Sequence, residues 1–336
     1  MLRKSCQCCY KRVIFILLCW LCLYVLLISH GKEEAKKQYF KSDNKMDEAT
    51  LIQTSPTKEF QRIRNNPSMV IYNRVPKCAS TVTRVVLAAT QRLNAKKYQL
   101  HFESWPHIKQ FLNASEEKDL VLKWMSFERP TVLIRHIHFI DFEKYGYHQP
   151  AYINIIRNPV DNFISSYYFT RFGFEGWSDS KVAKWLGVKP PSERYMSIEE
   201  CLKQNLKKCM TKNRPKTLAF FCGNHKDCRT DSQWSLDEAK KNVEKYFTVV
   251  GIVEDYNNTL KLLEKTFPKF FGGMFGIYQK MKSNHDLPHA RTAHKVDPPQ
   301  YVKAKLREEL HFQVEFYEFV RKRFYEQAKK FVQQDR

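Results

Sequence analysis

Two stretches of the chain run from an apolar segment through a polar turn into a helical pattern. In the first, Met69-Val-Ile-Tyr72 is an apolar, β-branched run that reads as a buried strand and breaks at Pro76. Beyond Lys77 and a small-residue loop, Val82, Val85, Val86, Ala89 and Leu93 recur at the spacing of a helix with one buried face. In the second, Ala151–Ile156 is again apolar, Arg157 closes it, and Pro159 stands near a helix start, where its missing N–H costs least. Val132–Phe139 and Tyr246–Ile252 read as further strands. Ser235-Leu-Asp-Glu238 reads as a capping box opening a helix, and residues 300–332 as an amphipathic C-terminal helix with room for one break. No internal repeat is visible. The alternation predicts an α/β domain, a parallel sheet with helices on both faces.

A strand, a short loop and a helix N-terminus together make an anion site, because unpaired backbone N–H groups and the helix dipole point into the loop. Lys77 adds a mobile positive charge, and Ser80 and Thr81 add hydroxyls. This is not a nucleotide-triphosphatase loop. That motif needs glycines around the phosphates and a Lys-[Ser/Thr] end, and no glycine occurs between Ser68 and Leu100. Taken alone, the loop also fits an ordinary strand-to-helix turn with an incidental lysine. The second module tips the balance: a guanidinium at a strand's carboxyl end, Arg157, suits bidentate contact with a second phosphate. Ser165 follows two helical turns later and can share that side of the helix. Ligands of open α/β sheets bind outside the carboxyl ends of the strands, where both loops meet. Two anion sites on one ligand suggest a nucleotide phosphorylated in two places.

At these residues the chain resembles the Golgi carbohydrate sulfotransferases that use 3′-phosphoadenosine 5′-phosphosulfate (PAPS), and among them most the uronosyl 2-O-sulfotransferases. The resemblance runs from about Ser68 to Phe331. Its specific pieces are Arg135-His-Ile-His-Phe139, Tyr152-Ile-Asn-Ile-Ile-Arg-Asn-Pro159, Tyr167-Tyr-Phe-Thr-Arg-Phe-Gly173, Phe220-Phe-Cys-Gly223 and Glu315-Phe-Tyr-Glu-Phe319. The first of these, with the Glu-Arg-Tyr run before Cys201, favours the branch acting on chondroitin and dermatan over the heparan sulfate branch. Cys78 and Asn158 depart from the heparan branch's usual threonine and aspartate without removing a functional charge. The resemblance implies a P-loop-kinase-like fold. It assigns the 5′-phosphosulfate to Lys77 and the amides of Cys78, Ala79, Ser80, Thr81 and Val82, and the 3′-phosphate to Arg157 and Ser165. The segment holding Ser283, Thr292 and Lys295 resembles the one that closes over the nucleotide. No metal is required, since Lys77 and the loop amides take the part that Mg²⁺ plays in kinases.

Sulfuryl transfer to a sugar hydroxyl needs a base and stabilisation of the leaving oxygen. On a strand from Val132 to Phe139, His136 and His138 would point to one face, and a histidine suits proton abstraction near neutral pH. The residues alone leave base, structural pair and zinc arm open, although no third and fourth ligand stands at metal spacing. Alignment with the family places the base on His136, with His138 second. Lys77 would neutralise charge on the leaving phosphate. Arg74, Tyr167, Tyr168 and Arg171 are candidates for gripping the uronic acid, and equally candidates for packing.

The remaining features concern place and partner. Val13–Ser29 is uncharged and rich in Leu and Ile, close to the lower length limit of a membrane helix. Arg3, Lys4, Lys11 and Arg12 precede it with no acid, which puts residues 1–12 in the cytosol. A cleaved signal peptide is the rival, disfavoured by the long core and by the lack of a small-residue cleavage site. Residues 30–66 read as a polar stem and 67–336 as the lumenal domain of a type II Golgi membrane protein. Cys6, Cys8 and Cys9 beside the anchor could carry palmitate or be free thiols. Beyond the anchor, Cys201/Cys209 and Cys222/Cys228 form two close pairs suited to disulfides in an oxidising lumen, and the resemblance points the same way. Cys78 is left over and expected reduced. Asn113-Ala-Ser and Asn257-Asn-Thr are glycosylation sequons. The net charge of +22, clustered at Lys181 and Lys184, Lys203 to Lys216, Lys226 with Arg229, and Lys280 to Lys303, suits an acidic polymer. In the lumen that polymer is a sulfated or carboxylated glycosaminoglycan rather than nucleic acid. Self-association is a family expectation only. A kinase of the same fold, or a glycan-binding protein without catalysis, are the rival classes.

Overall fold

The structure is a computed structural model that describes residues 68–94, 97–103, 109–128, 130–213 and 216–334. The expected anchor and stem lie outside the described residues, as do the cysteines beside the anchor. Among the described residues no helix is long and apolar enough to cross a membrane.

A five-stranded parallel sheet forms the centre, in the order β2-β3-β1-β4-β5. Its strands are β1 (Met69–Tyr72), β2 (Gln99–Phe102), β3 (Thr131–Ile134), β4 (Ala151–Ile156) and β5 (Phe247–Ile252). Apart from β2 at the edge, every strand residue is buried, because helices cover both faces. Strands with no solvent side show no alternation, which is why continuous apolar runs marked them in the sequence. The parallel register pairs Ile71 with Leu133 on one side and with Tyr152 on the other. Strands β1 and β3 therefore end level, at Tyr72 and Ile134, while β4 continues past them from Ile153 to Ile156, and all three loops open at the carboxyl end of the sheet.

The helices that matter for the site are α1 (Ser80–Leu93), α2 (Ala114–Met125), α3 (Pro159–Phe172), α4 (Thr217–Cys222), α5 (Gln233–Tyr246), α6 (Tyr256–Thr266), α7 (Met274–Ser283), α8 (Gln300–Glu309) and α9 (His311–Gln334). The expected C-terminal helix is two helices, α8 and α9, broken at Leu310. Three local expectations change. Helix α1 buries Thr83, Val86, Leu87 and Thr90, while Leu93 is 75% exposed. The buried threonine hydroxyls bond backbone carbonyls one turn back, so polar residues hold core positions that an apolar count cannot find. Helix α5 starts earlier than expected: Ser232 is its cap, and Ser235 sits inside the first turn, returning a bond to the Ser232 backbone. Strand β3 ends at Ile134, so residues 135–140 are irregular and the shared face expected for His136 and His138 does not arise from strand alternation.

Two disulfides form, Cys201–Cys209 and Cys222–Cys228, with Cα separations of 5.8 and 5.5 Å. The first spans a kink at Asn205 in the helix Ile198–Asn213. The second ties the end of α4 to the turn that follows it. Cys78 is free and buried.

Candidate functional site

The loop between β1 and α1 has a backbone that few sequences adopt without glycine. Lys77 and Ala79 are both left-handed, with φ of 61° and 55°, at a cost of order 1–2 kcal/mol each for residues carrying a Cβ. Ala79 is the N-cap of α1 and offers no side-chain bond to the helix, and the first turn carries no acid. The leading amides are thus left to whatever enters the loop. Left-handed residues alternating in such a turn make an anion-binding concavity of backbone N–H groups, and strain of this kind persists where surrounding contacts enforce it. Those contacts are three buried asparagines. Asn154 on β4 donates to the Asn73 carbonyl at 2.7 Å, and Asn73 donates to the Phe220 carbonyl on α4 at 2.8 Å. Asn162 on α3 donates to the Pro76 carbonyl at 3.1 Å and to Cys78 Sγ at 3.2 Å.

Lys77 projects into a cationic neighbourhood. Burial lowers its pKa to about 7, and the charges of Arg157 and Lys295 push the same way. Its ammonium lies 3.8 Å from the centre of the Phe169 ring and 4.7 Å from that of Phe174, aromatic faces that hold a cation without neutralising it. Among the described residues no carboxylate forms an ion pair with Lys77, Arg157 or Lys295. Ser165, 3% exposed, meets Thr292 with the hydroxyls 3.2 Å apart. The 291–293 segment is stitched to the end of α3 by backbone bonds Glu175 N–H to Arg291 and Ala293 N–H to Gly173. Tertiary structure thus brings Lys77, Arg157 and Lys295 near enough to repel one another and joins Ser165 to Thr292. Ser283 stays apart: it is exposed at the end of α7 and bonds back to the Lys280 carbonyl. The convergent groups are amides, hydroxyls, two ammoniums and a guanidinium, a donor set that fits a ligand bearing two phosphate-type groups such as PAPS.

His136 is held by the same β1 loop. Its Nδ1 is 2.7 Å from the Arg74 carbonyl, which only accepts, so Nδ1 carries the proton and Nε2 keeps its lone pair. Burial first and the Arg74 charge second lower its pKa to about 3, and the ring is neutral at neutral pH. A neutral ring with a fixed tautomer presents its Nε2 lone pair, and the burial that keeps the ring neutral also weakens it as a base in the free protein. His138 occupies a different setting, 4% exposed between the edges of Phe111 and Phe220, with burial lowering its pKa to about 4. It packs the wall behind the site.

The four candidates for gripping substrate divide. Arg74 stays at the site, over the ring of Phe102 at 4.9 Å. Tyr167 and Arg171 turn inward, in keeping with the packing alternative: the Tyr167 hydroxyl bonds the Met196 and Ser197 carbonyls, and Arg171 bonds the Glu193 and Tyr167 carbonyls. Tyr168 is buried with them, packed edge-on against Tyr167. An amphipathic count on α3 misses this because a second hydrophobic cluster covers the helix, leaving no solvent face there. Asn113 and Asn257 of the two sequons are exposed. Among the described residues no group of three His, Cys, Asp or Glu stands close enough to hold a metal ion. The asparagine brace and the Phe169/Phe174 seat carried no sequence signal of function, since buried asparagines and aromatics are ordinary core residues until their partners are known.

Comparison with known proteins bears on this geometry. Residues 61–320 match the sulfotransferase family. The chain is 34% identical over 266 residues to the human uronyl 2-sulfotransferase, covering 79% of this chain and 64% of that protein. It is 31% identical over 274 residues to a heparin sulfate O-sulfotransferase of Drosophila melanogaster, covering 80% of this chain and 75% of that one. With heparan sulfate 2-O-sulfotransferase 1 of Xenopus laevis it shares 30% over 262 residues, 76% of this chain and 70% of the relative. The match thus spans less than two thirds of the uronyl relative's length.

Proposed function

The chain belongs to the sulfotransferase family, and from that premise we propose that it transfers a sulfuryl group from PAPS to the 2-hydroxyl of uronic acid residues in dermatan or chondroitin sulfate. The observation that carries this reading is the adjacency of two unlike sites on the β1 loop. A cationic cluster at Lys77, Arg157 and Lys295 suits a doubly phosphorylated donor, and a neutral histidine held by the Arg74 carbonyl suits a hydroxyl acceptor.

PAPS supplies, when bound, an activated sulfuryl group on a phosphate leaving group. The chain's own residues do the rest. The amides of Cys78 to Val82 hold the 5′ end, and Arg157 with Ser165 and Thr292 hold the 3′-phosphate, contacts that ATP cannot repay. Thr292, buried in the segment tied to α3 through the 173–175 turn, shields this side from water. His136 Nε2 takes the proton from the sugar hydroxyl, while its Nδ1–H remains on the Arg74 carbonyl. Lys77 delivers positive charge to the oxygen that departs, its protonated form favoured by the negative charge brought beside it. Arg74 offers a guanidinium to the acidic sugar. No metal is assigned a part.

The resemblance to the uronyl relative favours dermatan and chondroitin; the heparan sulfate relatives keep the same chemistry on another polymer in view. A Golgi lumenal setting is part of the proposal, supported by the apolar run at 13–29 and by two disulfides of the kind oxidising compartments maintain. The test is transfer from labelled PAPS to dermatan, chondroitin and desulfated heparan chains, with disaccharide analysis and a His136→Ala control. New uronic acid 2-O-sulfate on dermatan or chondroitin, lost by at least about 10²-fold in the variant, is expected for removal of a general base. The product on heparan alone would move the polymer assignment. Glycan binding without transfer to any chain would reject the enzyme reading.

A further inference from the structure

We propose that Arg84, acting with Arg74 beside the ring of Phe102, forms a second oxyanion grip on the acceptor side of His136 and selects an acidic sugar. The inference rests on the transferase reading above and adds to it a residue and a recognition chemistry.

Phe102 is the last residue of β2, the edge strand, so its ring stands at the carboxyl end of the sheet. It is 37% exposed, unusual for a phenylalanine beside a buried core. The guanidinium of Arg74, from the β1 loop, lies 4.9 Å from the ring centre, and that of Arg84, from the second turn of α1, lies 4.6 Å from it. Two like charges thus share one aromatic surface. Arg74 is only 7% exposed, and its Nε, fully buried, has no hydrogen-bond partner. Burial holds its pKa down to about 10, with Arg84 contributing. Among the described residues neither arginine forms an ion pair. The nearby Glu103 is already engaged with Lys123 and Arg135.

Paired guanidiniums with an unmet donor and no counter-ion are arranged for a planar or tetrahedral oxyanion, which two forks can share. The location gives the anion its identity. The Arg74 carbonyl holds His136, so the grip and the base are built on one residue. An acceptor whose hydroxyl meets His136 Nε2 brings its carboxylate, or a sulfate on the neighbouring sugar, to the pair. Arg84 touches neither donor nor reacting hydroxyl, so it acts on acceptor affinity and not on the chemical step.

The test uses the enzyme with PAPS and dermatan sulfate, comparing wild type with Arg84→Ala, Arg84→Lys and Phe102→Leu. The expected result for Arg84→Ala is a KM for the acceptor raised about tenfold or more, the size expected for losing a hydrogen bond to a charged group, with kcat and the KM for PAPS within about twofold. Arg84→Lys should recover only part, since an ammonium cannot fork. A carboxyl-reduced chain and a de-O-sulfated chain are run in parallel. The one on which wild type and Arg84→Ala become equal names the anion gripped. An unchanged acceptor KM on every chain in folded Arg84→Ala would overturn the proposal. Failure of the wild type to transfer sulfate at all would reject the underlying transferase reading instead. In that case calorimetric titration with dermatan sulfate decides the grip: weaker binding by Arg84→Ala supports it, and equal binding overturns it.

Discussion

The two strand–turn–helix modules share a plan and differ in how the helix begins. In both, a buried strand ends in a loop with a cation and a proline. Helix α1 opens on a left-handed alanine with no side-chain cap. Helix α3 opens on Asn158, whose side chain accepts from the Val160 amide at 3.0 Å, with Pro159 in the first turn. The first module therefore keeps its helix amides open and suits an anion held by backbone. The second caps the Val160 amide from within and leaves recognition to side chains, Arg157 and Ser165. The same local plan yields a strained site in one place and a conventionally capped scaffold in the other. What separates them is whether the cap position can satisfy the helix from within.

The largest effect that would break this contrast is removal of the charge at the open helix. Lys77→Ala should lower kcat by about 10²–10³-fold, the range for losing one electrostatic donor to a transition state, with the fold intact by circular dichroism. Next in size is conversion of the first module into the second. Ala79→Asp places a carboxylate at the N-cap, where it can bond the amides itself. It should weaken binding of 3′-phosphoadenosine 5′-phosphate by about tenfold or more, as an anion already in place repels another; calorimetric titration measures this.

A third prediction joins the modules. With its pKa held at about 7 by burial, then Arg157 and Lys295, Lys77 is partly neutral in the free protein above that pH. Bound phosphate favours the protonated form, so binding takes up a proton and weakens as pH rises beyond 7. Arg157→Gln removes one of the repelling charges, raises the Lys77 pKa and moves that onset to higher pH, even as it weakens binding overall. Titrations in buffers of different ionisation enthalpy count the protons, and an onset that does not move would separate the modules.

The two histidines make a pH prediction for the whole fold. Their pKa values of about 3 and 4 lie below the ordinary value near 6.5. As pH falls through 6.5 the unfolded chain binds protons that the folded one refuses, so these groups erode stability progressively down to pH 3–4. Thermal unfolding should show Tm falling across that window, and less steeply in His138→Gln once its own cost of substitution is subtracted at pH 7. The smallest effect sharpens the opening contrast: Asn158→Ala should cost about 1 kcal/mol of stability, typical of a lost cap, while nucleotide affinity stays within about twofold. A large loss of affinity there would mean that the second module also binds through its amides.

Much of the site was readable in the chain because its parts are local. Lys77, Ser80 and Thr81 follow one strand, Arg157 closes another, and Ser165 stands two turns later on the same helix. Strands buried on both faces announce themselves as apolar runs, and a proline marks each turn. The cysteine pairs were legible for the same reason, each closing a short loop. Other features depended on partners far away in sequence. Tyr167 and Arg171 could be assigned to packing only once the 193–197 segment lay beside them. The buried face of α1 depended on threonine hydroxyls finding carbonyls, which hydropathy does not record.

The sequence by itself determined the alternation of strand and helix, the two cationic turns and the positive charge that suits an acidic polymer, since each follows from residues within a few positions of one another. Only the tertiary structure decided which proton His136 carries, that Lys77 rests on Phe169 and Phe174, and that Arg84 joins Arg74 at the ring of Phe102. Those outcomes are set by burial and by charges brought near through parallel strand pairing. A parallel sheet places the ends of distant strands side by side, so the electrostatics of its loops belong to the assembled sheet and not to any one segment.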